Sequence, residues 1–289
     1  MLTPQEIQSY RDQGYLGVDA VFNAAEIAEL RNVTDAFVER SRAVTQSDAV
    51  FDLEPSHTPE QPRLRRLKNP VKQHPAYHRA LTHPKVLAIV GQLVGPDVTC
   101  NGDKLNLKLA DVGSPVEWHQ DWAFYPHTND DLLAVGVALD DSTLENGCLL
   151  VLPGTHRGPL LDHHQDGRFI GAVTERGFSP AGAVPILLKA GGISIHHVRT
   201  LHGSAPNRSP RPRRLLLFQY CAADAWPLLP PGAKPWDTYA ASVVQGSPCR
   251  VPRLAPVPVR LPLPEARYAG SIYENQRGLK HAIYEKDGT

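Results

Sequence analysis

From about residue 98 onward the chain breaks into short apolar runs separated by turn residues, and this pattern restricts the fold more than any other feature. Lys104 to Leu109 alternates polar and apolar, Leu132 to Leu139 is almost wholly apolar, and Ile186 to Leu188, Ile193 to Ile195 and Arg214 to Tyr220 read as further strands. Asn146-Gly147 ahead of Cys148 to Leu152 predicts a tight hairpin. With no long helices between these runs, a parallel α/β sheet is excluded. A sandwich or barrel of short strands remains.

The front of the chain is helical. Thr3-Pro4-Gln5-Glu6 is a capping box with proline at the first helical position, and Asn23-Ala24-Ala25-Glu26 repeats the pattern. In the second helix Ile27, Leu30, Val33 and Phe37 form an apolar stripe. A third helix is expected to start near Pro84, bury Val86, Ile89, Val90 and Leu93, and stop at Gly95-Pro96. Pro227, Pro230, Pro231 and the run from Pro252 to Pro264 exclude continuous central strands, so a loop wrap around the barrel mouth is expected. No linker divides the 289 residues. The expectation is one domain over 1–289, with a helical front (about 1–96), a β core (about 97–222) and a loop-rich C-terminal wrap (223–289).

Thirty basic residues balance thirty acidic ones, which gives no pull toward nucleic acid or an anionic membrane surface. No signal-like segment and no long apolar stretch is present, so a soluble, cytoplasmic protein acting on a small molecule is expected. Cys100, Cys148, Cys221 and Cys249 are dispersed without metal-site spacing and read as reduced thiols. Oligomeric state is not written in the sequence.

Trp118-His119-Gln120-Asp121, with His202 eighty-one residues after Asp121, carries the chemistry. Side chains at i and i+2 of a strand point the same way, so His119 and Asp121 can reach one ion. Two imidazoles and a carboxylate on one octahedral face leave three positions for a bidentate 2-oxoacid and O2, the arrangement of non-haem Fe(II) oxygenases. Alone, His-x-Asp in a chain with thirteen histidines is more often an ordinary polar pair. The context of His202, after the Gly191-Gly192 turn and before a strongly apolar run, places it at a strand edge.

The segments Trp118 to Asp121, Thr143 to Leu149 through Pro153-Gly154-Thr155-His156, and His202 to Ser209 with Arg213 resemble the phytanoyl-CoA dioxygenase family. Gln13 to Val18 and the following helix resemble its opening, so the likeness spans about residues 3–222. It implies a mainly β fold with flanking helices, a double-stranded β-helix (cupin-like jelly roll). It also implies that His119, Asp121 and His202 bind Fe(II) and that Arg213, helped by Ser204, binds 2-oxoglutarate. Lys108 and Gln120 match family positions near the cosubstrate, although a lysine in an alternating strand ordinarily faces solvent.

Rival assignments stay open at this point. Arg211 and Arg214 flank Arg213 and have the same chemistry, and His196 or His197 could replace His202. His156 and Asn207 read as turn-ordering residues. No HExxH helix, lysine-tipped phosphate loop or GxSxG elbow is present. Zinc hydrolysis would leave the downstream arginine unexplained, and Asp121 in the carboxylate position disfavours a halogenase.

The expected function is therefore an Fe(II)- and 2-oxoglutarate-dependent oxygenase that oxidises, by default hydroxylates, a C–H bond of a small organic substrate, releasing succinate and CO2. The non-enzymatic alternative is a metal-binding jelly roll that binds or senses a ligand. The basic run Arg63, Arg65, Arg66 and Lys68 reads as a solvated face. Phe51, Trp122, Phe124, Tyr125 and Trp226 are candidates for an apolar substrate wall, or for ordinary packing.

Overall fold

The computed structural model describes residues 1–110, 113–228, 235–260, 266 and 271–284. Both capping boxes form: Thr3 starts α1 (Pro4–Gln13) and Asn23 starts α2 (Ala24–Arg40), each bonded reciprocally to the glutamate three residues on. Gly14, at φ 79°, ends α1 in the left-handed conformation and turns the chain into β1 (Tyr15–Val18). In α2 the buried stripe is Ile27, Leu30, Thr34 and Phe37. Val33 packs half-buried against the same core, and Thr34 can join the stripe because its hydroxyl is satisfied, bonding to Leu30 O at 2.7 Å and Tyr77 Oη at 3.0 Å. Two short helices absent from the sequence reading, α3 (Pro70–Gln73) and α4 (Pro75–Leu81), each begin at a proline, as does α5 (Pro84–Val94). In α5, Val86, Ile89 and Val90 are buried and Leu93 is half-buried.

The remaining strands are β2 (Phe51–Leu53), β3 (Leu64–Lys68), β4 (Val98–Lys108), β5 (Val116–His119), β6 (Leu132–Ala138), β7 (Leu149–Val151) and a two-stranded ribbon, β8 (His164–Gln165) with β9 (Arg168–Phe169). They continue with β10 (Val184–Ile186), β11 (Ile193–His197), β12 (His202–Ser204), β13 (Arg213–Ala222) and β14 (Val243–Gln245). The major sheet runs β1-β11-β6-β13-β4-β3-β2, with β14 also on β4; the minor sheet runs β10-β7-β12-β5. All strand pairs are antiparallel. The fold is the double-stranded β-helix with helices packed outside.

The expected hairpin at Asn146-Gly147 does not form, because the strands before and after it, β6 and β7, lie in different sheets. Those two residues belong to a turn, in which the Asn146 side chain bonds Thr143 N and Asp141 O.

Strand parity assigns the faces of the major sheet. Leu105 and Leu107 of β4, Val135 and Val137 of β6, and Leu216, Phe218 and Tyr220 of β13 join the core beneath the helices. Their neighbours Lys104, Asn106, Lys108, Ala134, Arg213, Leu215, Leu217 and Gln219 line a cavity between the sheets. Both faces of the major sheet are thus covered, and the polar one faces the minor sheet.

Where it is described, the C-terminal segment makes contacts with the body. Trp122 Nε1 donates to Pro258 O at 2.6 Å, and Ala255 N donates to Thr128 O. Pro230, Pro231, Pro262 and Pro264 lie outside the described residues. Further on, α6 (Trp236–Ala240) precedes β14, and α7 (Ile272–Gln276) puts Ile272 and Tyr273 on the cavity. The Glu117 carboxylate accepts from Ile283 N and Tyr284 N, tying this segment to β5.

The basic run at 63–68 is not a solvated face. Arg65 and Arg66 are only 2% and 7% exposed. Buried Asp52 takes Arg65 Nη2 at 2.7 Å and Arg66 Nη2 at 3.0 Å and accepts from Ser271 Oγ at 3.1 Å. Arg65 also bonds Glu274 at 2.7 Å and lies over the Tyr273 ring, so the network pins α7. Desolvation raises the Asp52 carboxyl pKa, but Arg65 and Arg66 outweigh it and hold it low. Its stabilisation is therefore complete above the unfolded value of about 4 and is lost as pH falls below that. Asp52→Ala would leave two buried guanidiniums short of a counter-charge, at about 3–5 kcal/mol. The expected result is a Tm lowered by on the order of 10 °C in thermal denaturation at pH 7. A Tm unchanged within about 2 °C would contradict the ion-pair account.

Candidate metal centre and cosubstrate cavity

His119 ends β5, Asp121 opens the short 3-10 turn Asp121–Ala123 that follows, and His202 begins β12. The β5–β12 ladder pairs His119 directly with His202, so the backbone register sets the two imidazoles side by side, ring centroids 4.1 Å apart. Asp121 Oδ1 lies 3.6 Å from His119 Nε2 and 4.0 Å from His202 Nε2. The three residues are buried, and one potential ligand atom from each lies within 4.8 Å of the others.

Both histidines are pre-oriented. His119 Nδ1 bonds Glu117 O at 2.8 Å and His202 Nδ1 bonds Thr200 O at 2.9 Å. A carbonyl oxygen only accepts, so each Nδ1 carries the proton and each Nε2 lone pair is directed toward Asp121. Burial, reinforced by His119 and His196, pushes the His202 pKa well below its ordinary value, which keeps the ring neutral. Burial raises the Asp121 carboxyl, but the surrounding imidazoles of His119, His196 and His202, with Lys104, outweigh it and hold it well below the usual range. The Asp121 carboxylate and the neutral His202 ring are thus in the protonation state a metal requires.

His196 and His197 separate clearly. His197 lies away from the cavity, beside Tyr10 and His156. His196 lines it, with Nε2 3.4 Å from Asp121 Oδ2, the oxygen not directed at His119 and His202.

At the other end of the cavity, Arg213 faces Lys108 across the β13–β4 ladder. Both are buried, 3% and 1% exposed. Lys108 Nζ donates to Ser204 O at 3.1 Å and to Ala205 O. Burial and then the Arg213 charge push its pKa well below the ordinary lysine value. Arg213 Nη2 donates to Gly147 O at 2.7 Å, while its buried Nε has no partner. Gly147 sits at φ 75°, and a Cβ there would fall 2.3 Å from Ala205 O, so the turn beneath the guanidinium requires glycine.

Among the rival arginines, Arg214 is engaged by Asp140 and Asp35, and Arg211 is exposed. Ser204 lines the cavity with Lys108 and Arg213. Gln120 does not. The parity that brings residues 119 and 121 together turns 120 away, and its amide is used by Pro159 O, Arg199 O and Leu161 N. His156 bonds Arg11 O, and Asn207 orders its turn through Lys108 O, Leu109 O and Arg211 O.

Of the five proposed wall residues, Phe124 and Tyr125 lie beside the metal-site residues and the other three pack elsewhere. Phe51 is core, Trp122 packs with Leu132 and Val198, and Trp226 stacks on Tyr239 at 4.6 Å. Phe124 lies edge-on to His119 with centroids 5.7 Å apart, and the Tyr125 hydroxyl is hydrogen-bonded to Asp121. The sequence reading missed Lys104, Asn106, Gln219, Ile272 and Tyr273, which line the cavity. For Lys104 and Asn106 the signal was present: they share strand parity with Lys108.

A family model for phytanoyl-CoA dioxygenase matches residues 10–215. A probable alpha-ketoglutarate-dependent hypophosphite dioxygenase of Stutzerimonas stutzeri is 34% identical, over 97% of this chain and 99% of its own length. A methylphosphonate hydroxylase of Gimesia maris is 26% identical, over 76% of this chain and 81% of its own. Among solved structures, the epimerase SnoN in complex with Fe3+, alpha ketoglutarate and nogalamycin RO superposes with a TM-score of 0.63 at 25% identity, over 85% of this chain and 94% of SnoN. With the family model over most of the chain and a 34% relative over nearly all of it, the chain belongs to the phytanoyl-CoA dioxygenase family and is an Fe(II)- and 2-oxoglutarate-dependent dioxygenase.

Proposed function

We propose that His119, Asp121 and His202 hold the iron, that Arg213 with Lys108 and Ser204 binds the distal carboxylate of 2-oxoglutarate, and that the substrate is a small phosphorus-centred oxyanion. The observation that carries the cosubstrate assignment is a buried guanidinium facing a buried lysine across a strand ladder, neither ion-paired with a carboxylate of the described residues; Glu54 attracts Lys108, but its carboxylate is bound by Ser114. Such a pair is costly to bury without an anion, and a guanidinium fork matches a carboxylate in a bidentate way. The substrate reading leans on the hypophosphite dioxygenase, a relative that matches over almost the whole chain. Free cytoplasmic placement fits four cysteines that form no disulfide with one another.

Bound iron supplies activation of O2 coupled to decarboxylation of 2-oxoglutarate. With iron and cosubstrate bound, one oxygen atom of O2 would enter succinate as CO2 leaves and the other would enter a P–H or C–H bond, so hypophosphite would yield phosphite. The protein's part is positional. His119 and His202 present Nε2 lone pairs, fixed by their carbonyl bonds, and Asp121 stays anionic. Arg213 and Lys108 orient the cosubstrate, Leu215 and Leu217 narrow the cavity, and Ile272 and Tyr273 limit access of water. A non-catalytic ligand-binding jelly roll would hold the metal without forming succinate.

Arg213→Ala should weaken 2-oxoglutarate binding to the anaerobic Fe(II) protein by about 2–5 kcal/mol, roughly thirtyfold to several-thousandfold, with iron content unchanged. Isothermal titration of the cosubstrate measures this. Undiminished affinity in that variant would remove the clamp from Arg213.

A further inference from the structure

We propose that the Lys104 ammonium, with the side-chain amide of Asn106, forms a second anion subsite in the cavity and selects the oxyanion of the primary substrate. This rests on the iron and 2-oxoglutarate reading above.

Lys104, Asn106 and Lys108 stand on one face of β4 at alternate positions, so the two lysines are about 13 Å apart along the strand. Lys108 is committed to the Arg213 end through its bonds to Ser204 and Ala205. Lys104 pairs in register with Leu217 of β13 and Lys68 of β3, and its side chain makes no hydrogen bond or ion pair with any described residue. The favourable charge acting on it is Asp121, while Arg66 opposes.

That single anion is not available to Lys104 in the working enzyme. Once Asp121 ligates Fe(II), the metal more than offsets its charge. The two carboxylates of 2-oxoglutarate are then drawn to the remaining iron charge, Arg213 and Lys108, and the Lys104 ammonium is left without compensation. A desolvated ammonium in this position favours an anionic substrate.

Asn106 adds a second polar group. Its side-chain oxygen is buried without a hydrogen-bond partner, and amide rotation would turn N–H toward an anion. The opposing residues Leu215 and Leu217 are apolar and offer an oxyanion no hydrogen bond. The subsite therefore suits a compact oxyanion, held by one charge and one amide, with its oxidisable bond toward the metal face.

The test uses the full-length protein loaded anaerobically with Fe(II) and 2-oxoglutarate, titrated calorimetrically with sodium hypophosphite and with methylphosphonate. Lys104→Met removes the charge and keeps the stem; Lys104→Arg keeps the charge. At least one anion should bind the wild type. Lys104→Met should weaken it by about tenfold or more and Lys104→Arg by under about threefold, while 2-oxoglutarate affinity stays within about twofold in both. In turnover, KM for the anion should rise more than kcat falls. If Lys104→Met fails to fold, Asn106→Ala should weaken the anion several-fold. Equal anion binding in wild type and Lys104→Met, or no binding of either anion to a wild type that binds 2-oxoglutarate, overturns the subsite. A wild type that does not bind 2-oxoglutarate overturns the underlying reading as well.

Discussion

Charge removed from water is the constraint around which this protein is arranged. Asp121, Lys108 and Arg213 are each at most 4% exposed, and they share one cavity with Lys104, His119, His196 and His202. Burial alone would neutralise such groups or expel them. Here Asp121 is held anionic by the imidazoles around it, whereas Lys108 and Arg213 repel one another. The protein satisfies its carboxylate internally and leaves its cations under-satisfied. That asymmetry is what a site for anionic ligands requires.

The jelly roll provides this at modest structural cost because the major sheet is sided twice. Helices α2, α4 and α5 seal the outer face with one continuous apolar core, so the inner face can be polar without loss of the fold. Antiparallel register then does the positioning. It sets His119 opposite His202 in the minor sheet and Lys108 opposite Arg213 in the major one. The Asp52–Arg65–Glu274 network brings a segment from the far end of the chain over the cavity, so an ionic cluster remote from the metal still shapes it.

Much of this was legible in the sequence where the signal is local. Both capping boxes, the α5 boundaries, the β4 and β13 strands and the His-x-Asp pair follow from spacing and side-chain chemistry over a few residues. Arg213 could be preferred over its neighbours only through family resemblance; in the fold, Arg214 is drawn off by Asp140 and Asp35 while Arg211 remains exposed. What escaped depends on distant partners. The Asn146-Gly147 turn resembles a hairpin until its flanking strands enter different sheets, and the Arg65–Arg66 run resembles a solvated face until Asp52 and Glu274 are brought to it. Lys104 was overlooked because an alternating strand with lysines is ordinarily half-exposed, and this one is covered on both sides. Gln120 was included on motif position alone, against the parity that points it away.

The central claim is that one metal is held by His119, Asp121 and His202, with His196 only a neighbour of the carboxylate. Anaerobic Fe(II) titration of His202→Ala and His196→Ala beside the wild type tests this most directly. The account predicts one tightly bound iron per chain in the wild type and in His196→Ala, and loss of tight binding in His202→Ala. Iron retained by His202→Ala and lost by His196→Ala would contradict it.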